Sequence, residues 1–226
     1  MFICLTNSDS FGCTIQGNGL LKDNEKDGFS TIVLKTYANV VITQGEKMNV
    51  TIRTDDNTFT NVQCKITDDK LVISSSDNKI IYNNPVVYIT IKSLAKIEHS
   101  GSGNISFTNQ IKSNNLDLRL TGSGNLKANL DVKNMKVVVS GSGDLNMTGK
   151  SDNSHITLSG SGNVNGQDLK ASKSNIKISG SGSSIVDVED LLEVDITGSG
   201  NVFFISNPER VTAISYGSGR CEKLKA

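Results

Sequence analysis

The sequence predicts an all-β chain wound into a parallel β-helix, and three observations predict it. A Gly-Ser-Gly core recurs seven times, beginning at Gly101, Gly122, Gly141, Gly160, Gly180, Gly198 and Gly217, at intervals of 21, 19, 19, 20, 18 and 19 residues. Repetition at a period near twenty residues signals a solenoid whose units bury their apolar faces against one another. Two apolar columns keep register with the cores: His99, Leu120, Val139, Leu158, Ile178, Ile196 and Ser215 two residues upstream, and Ile97, Leu118, Val137, Ile156, Ile176, Val194 and Ala213 four upstream. A spacing of two is the alternation of a strand with one buried face. Thirdly, no segment carries a helical apolar stripe of useful length.

Ahead of the repeat, Met1 to Leu5 is apolar but too short for a signal-peptide core or a membrane span. Residues 1–13 are therefore expected to be either a stub or the remnant of an export or lipoprotein signal with Cys13 as the lipidation candidate. Residues 14–226 are expected to form a single domain, with an irregular β part at 14–96 and the regular repeat at 97–226. Gly17-Asn18-Gly19 and the charged Lys22 to Asp27 read as loop. Strands are expected at Ser30 to Tyr37, Val40 to Thr43, Met48 to Thr54, Val62 to Ile66, Leu71 to Ile73 and Val86 to Ile91, with a turn at Asp68-Asp69. Together they should lie coaxial with the helix and cap its N-terminal end.

Within the repeat each unit reads strand, corner, strand and a variable return. Two glycines around one small residue suit a corner that needs positive φ or close backbone approach. Beyond the corner, Ile105, Leu126, Leu145, Val164, Val202 and Cys221 form the next inward column, interrupted only by Ser184. Lys223 falls where an inward apolar residue would continue, a polar substitution expected to close the end of the solenoid.

Composition narrows the function. The 23 basic and 23 acidic residues cancel, so nothing points to nucleic acid or an anionic membrane as partner. Aromatic residues are 5% and tryptophan is absent, which argues against a stacking-based sugar or base site. Cys4, Cys13, Cys64 and Cys221 lack metal-ligand spacing, and Cys64 and Cys221 read as small core residues. His99 points inward and His155 outward, with no second ligand at a useful distance in sequence, so no metal is expected. Glu98, Asp117, Arg119, Asp131 and Asp195 face outward without aligning in one column; Glu98 and Arg119 share a column position and form a candidate surface ion pair. No catalytic constellation and no cofactor site emerges.

The candidate site is a polar strip on one edge: Thr121, Ser123, Asn125, Ser140, Ser142, Asp144, Ser159, Ser161, Asn163, Thr197, Ser199 and Asn201. It admits two readings. One is a regular hydroxyl and amide array presented to a glycan or a protein surface. The other is a structural ladder in which like residues stack and hydrogen-bond up the helix.

The chain also resembles a known family, the auto-transporter adhesin head domain called the GIN domain (DUF2807). The resemblance runs through Ile15-Gln16-Gly17-Asn18-Gly19, Phe29-Ser30-Thr31-Ile32, Val41-Ile42-Thr43-Gln44-Gly45, Val50-Thr51-Ile52, Asp55-Asp56-Asn57 and Lys70-Leu71-Val72-Ile73-Ser74 to the Gly-Ser-Gly-Asn/Asp tiers and Asn207-Pro208. It implies a right-handed, single-stranded β-helix exported to the bacterial cell envelope, with an adhesive or surface-binding role and no catalytic residues. The expectation is a non-enzymatic adhesin-like module. The alternatives are a self-assembling envelope protein and, behind it, a carbohydrate-active enzyme with paired carboxylates near Asp55 to Thr60 or Asp77 to Asn84. A homo-oligomer fits either of the first two.

Overall fold

The computed structural model describes residues 12–15, 28–53, 61–75 and 84–224. Their strands belong to one continuous sheet that coils on itself as a β-solenoid of about seven turns. The regular part is carried by β10 (Ile111–Leu120), β11 (Leu126–Val139), β12 (Leu145–Leu158), β13 (Val164–Ile178) and β14 (Ser184–Ile196), each parallel to the next. Leu118 lies against Val137, Val137 against Ile156 and Ile156 against Ile176, so the columns read from sequence are true stacks.

One strand makes two walls of a coil. In β11 the buried residues are Leu126, Ala128, Leu130 and Val132, then Met135, Val137 and Val139. Lys133 and Asn134 between them are both exposed, and that slip of one residue is where the chain bends. Asparagine recurs at this second bend: the Asn134 Nδ2 donates to Asn115 Oδ1 (3.0 Å), and Asn153 Nδ2 to Asn134 Oδ1 (3.1 Å). The uneven repeat lengths are absorbed on the wall after the corner and at the second bend. The β12–β13 register shifts between Asn146 and Thr148, and the β13–β14 register shifts between Gly166 and Lys170 and again between Ala171 and Lys173. The corners themselves stay aligned. Within this wall Gly149 stands in register with Leu130 at φ +107°, where a Cβ would meet the Leu130 carbonyl oxygen at 2.0 Å. No side chain fits there.

The irregular part is coaxial with the helix, as expected, but its order along the axis is not its order in the chain. β2 (Thr31–Lys35) lies between β8 (Lys96–His99) and β6 (Lys70–Ser75), parallel to both. Likewise β3 (Asn39–Gln44) lies between β9 (Ile105–Phe107) and β7 (Val86–Ile91). The first coil of the chain is thus the second coil of the stack. Beyond β6 and β7 the direction reverses. β5 (Val62–Thr67) is antiparallel to β6 through the Asp68-Asp69 turn, with Asp68 at φ +54°. β4 (Asn49–Arg53) is antiparallel to β7, and β1 (Gly12–Ile15) runs parallel to β4, with Cys13 opposite Val50. The expectation of a stub or signal remnant over residues 1–13 falls mostly outside the described residues, as does Cys4.

At the other end β15 (Val202–Phe204) and β14 carry β17 (Cys221–Lys223) and β16 (Arg210–Ser215). Lys223 is exposed on the last strand, its ammonium turned to Asn207 Oδ1, and every residue of β16 is exposed as well.

Candidate functional site

The corner explains itself through the carbonyl below it. An added Cβ at Gly122, Gly141, Gly160, Gly180 or Gly198 would stand 2.1 Å from the oxygen of the equivalent glycine one coil down, or of Gly101 beneath Gly122. That oxygen is occupied: Gly141 O accepts the N–H groups of Ser161 and Gly162, both at 3.1 Å. Close approach is the reason for glycine. Positive φ is not, since among the described glycines only Gly28 and Gly149 have it. The corner of the first chain coil is Thr36-Tyr37-Ala38, and Gly101 and Gly103 pack on its backbone.

With the corners superposed, the predicted strip becomes one edge of the solenoid, and its residues divide into two kinds. Asn125, Asp144, Asn163 and Asn201 spend their side-chain oxygens on the next coil. Asn125 Oδ1 accepts the backbone N–H of Asp144 (2.9 Å), Asp144 Oδ1 that of Asn163 (2.8 Å), Asn163 Oδ1 that of Ser183 (2.9 Å) and Asn201 Oδ1 that of Arg220 (2.9 Å). Ser183 takes the role in its own coil, accepting from Asn201 N–H at 3.1 Å. The ladder starts earlier than the sequence reading placed it. Asn39 Oδ1 holds the N–H of Asn104 (2.9 Å), and Asn104 Oδ1 that of Asn125 (3.0 Å). Asn39 was legible after all: it stands three residues after Thr36, as Asn104 stands three after Gly101.

The hydroxyl residues behave differently. Thr121 and Thr197 send their hydroxyls back to the carbonyls of His99 (3.4 Å) and Ile178 (3.5 Å). Ser123, Ser142, Ser161 and Ser199 are exposed, and among the described residues no protein group bonds their hydroxyls; Ser140 and Ser159 are in the same state. At about 4.8 Å per rung, the six intervals between the seven core serines extend roughly 29 Å.

Asp144 is the charged member of this edge ladder, and two ion pairs sit on the wall before the corner. The Glu98–Arg119 pairing expected from their shared column does not form. Arg119 forks onto Asp117 of its own strand, with Nη2 to Oδ2 at 2.9 Å, and Glu98 pairs with Lys96 two residues away. Side chains at i and i+2 on an outward face reach each other without spanning rungs. The bond from Lys96 holds the Glu98 carboxyl below its ordinary range, and Asp117 raises the Arg119 guanidinium further. A shallow groove of about 460 Å³ lies beside the second bend among Lys112, Asp131, Lys133, Lys150 and Asp152. Its Asp131 is engaged by Lys150 at 3.4 Å. Among the described residues no three His, Cys, Asp or Glu side chains are grouped to hold a metal, and no helix is long and apolar enough to cross a membrane. The carboxylate sites entertained near Asp55 to Thr60 and Asp77 to Asn84 lie almost wholly outside the described residues.

His99 is a buried titratable group, only 1% exposed and stacked between Leu34 and Leu120. Among the described residues neither ring nitrogen makes a hydrogen bond of full geometry. Burial pushes its pKa below the ordinary imidazole value, with weaker opposing effects from the Gly103 and Leu34 backbone.

Solved structures share this architecture. A putative adhesin from Bacteroides fragilis aligns over 90% of this chain and 95% of its own, at 23% identity and a TM-score of 0.82. A putative adhesin from Parabacteroides merdae covers 92% of this chain and all of its own (21%, TM-score 0.70). A protein from Parabacteroides distasonis described as a putative lipid binding protein does the same at 19% and 0.67. At such identities the likeness is one of fold. No curated protein matches the chain. The family described as "putative auto-transporter adhesin, head GIN domain" matches over residues 28–208, from the first coil of the chain to the turn before β16, and the chain belongs to that family.

Proposed function

We propose that the protein is a non-enzymatic, exported head domain that binds a glycan or protein surface at the bacterial cell envelope through its serine edge. The observation that carries this reading is the division of the strip. The asparagine and aspartate oxygens are consumed in holding the coils together, whereas the Ser123, Ser142 and Ser161 hydroxyls are exposed and bonded to nothing among the described residues. Flanking glycines leave no side chain to shield them. A rigid row of donor-acceptor hydroxyls at rung spacing matches extended polymers with a repeating polar edge, and its rigidity limits the ordering cost of binding. Family membership supports the adhesive role and the envelope location.

The test is a binding screen of the full chain against glycans and envelope fractions, run beside the triple variant Ser123→Lys, Ser142→Lys, Ser161→Lys. Since these side chains are exposed, the variant should keep its β-sheet spectrum and melting midpoint. The wild type is expected to bind at least one surface class and the variant to lose it. Binding that the variant retains would exclude the serine edge, and a wild type that binds nothing would remove the reading itself.

A further inference from the structure

We infer that β16 is a dimerisation strand, pairing antiparallel with β16 of a second copy so that two solenoids join tail to tail. The strand is unlike the others on its wall. β10, β11 and β12 have parallel neighbours on both sides, while β16, among the described residues, is bonded on one side, to β14. Its Val211 and Ala213 continue the inward columns of Leu192 and Val194, which are buried, yet both are exposed, with no described strand beyond them. Val211 is 41% exposed, Ile214 49% and Tyr216, just beyond the strand, 79%. An uncovered parallel edge with apolar side chains invites pairing unless something blunts it. The sequence places no proline or glycine within β16 and a single charge at its start.

The occupant follows from the two ends of the molecule. Covering this face needs a partner with the same cross-section, which a second copy supplies. The N-terminal end of that copy does not match it: beyond β6 and β7 lie the antiparallel β5 and β4, with β1 beside β4, in place of a parallel coil. What remains is the same face, related by a two-fold axis.

The strand suits such an axis. Tyr216 N–H bonds to Ile196 O at 2.8 Å, so in the ladder the alternate residues Val211, Ala213 and Ser215 turn their N–H and C=O groups to the open edge. A two-fold normal to the wall keeps inward side chains inward only when residues of like parity oppose each other. The register centred on Ala213 does this and engages the whole strand. It sets Ala213 against Ala213, Val211 against Ser215, Thr212 against Ile214, and Arg210 against the ring of Tyr216. Small residues meet at the axis, the core columns run on into the second copy, and the single cation meets an aromatic face rather than a like charge. An isologous contact of this kind closes at two copies and cannot extend into a filament.

Sedimentation of the full chain over a wide concentration range tests the inference, with two variants. The wild type is expected at twice its 24.2 kDa. Ala213→Lys puts two ammonium groups at the axis but sits on an exposed residue, so the dimer should be lost with the melting midpoint of the monomer intact. Ala213→Cys should give a covalent dimer on mild oxidation, since opposed hydrogen-bonded residues have Cα atoms about 5.5 Å apart, inside disulfide range. Thr157→Cys, in the middle of the same wall, should give no more than the wild type. A monomer at every concentration, an open-ended assembly, or a dimer that survives Ala213→Lys would each overturn the assignment.

Discussion

Substituting alanine for Gly160 asks whether the corners are held by close stacking. The added Cβ would stand 2.1 Å from Gly141 O and 2.6 Å from Ser140 O, both backbone atoms that cannot rotate aside. Ordinary carbon–oxygen contact begins near 3.3 Å, so the two coils must separate by on the order of 1 Å at this point. That motion stretches the bonds from Ser161 and Gly162 to Gly141 O, each 3.1 Å at rest. Losing two backbone hydrogen bonds costs about 1–3 kcal/mol and the overpacking about 1–3 more, giving a destabilisation of about 2–6 kcal/mol.

The control is Gly166→Ala, the same chemical change in the same coil, where the nearest atom to the new Cβ is Ile185 O at 3.3 Å. There the expected cost is below about 1 kcal/mol. Urea unfolding followed by far-ultraviolet circular dichroism, with the slope checked for constancy, measures both. If Gly160→Ala and Gly166→Ala shift the midpoint equally, close approach is not what keeps glycine at the corners.

Leu158→Ala removes a fully buried side chain and should cost about 2–5 kcal/mol, whereas Thr157→Ala on the outward face should cost under about 0.5 in the same unfolding assay. Asn163→Ala takes away the acceptor of Ser183 N–H and should cost about 0.5–1.5 kcal/mol, while Ser161→Ala should leave stability unchanged; equal effects would mean the edge does not divide as described. His99 predicts the pH response. Its folded pKa lies below the unfolded value of about 6.5, so the unfolded chain binds the extra proton and stability falls as pH drops through that value, above the range where carboxylates such as Glu98 titrate. His99→Leu should flatten the melting midpoint between about pH 6.5 and 5; an unchanged slope would show that the ring is not the group responsible.

Features that repeat could be read from the chain, because seven copies of a corner average out local accidents. Leu120, Val139, Leu158 and Ile178 declare an inward column that the structure keeps buried from His99 to Ile196, and even Ser184, fully buried with its hydroxyl unpartnered among the described residues, holds its place in the pattern. The stacking order of the first coils could not be read. Ile32 and Leu34 alternate just as Leu71 and Ile73 do, and alternation tells which way a side chain faces but not which strand lies alongside. The polar edge was legible as composition and opaque as chemistry for a related reason. Asn163 and Ser161 are both small, polar and exposed, yet one oxygen reaches a backbone N–H on the next coil and the other reaches none among the described residues. That difference depends on a side chain's length measured against the height of a coil, a quantity that exists only once the coils are stacked. Length also separates the two roles by residue type: an Asn or Asp oxygen spans the rung, and a serine hydroxyl between two glycines falls short of it. Ser183 is the exception that fits, since it sits in the Asn position rather than inside the core and so starts nearer the N–H it accepts.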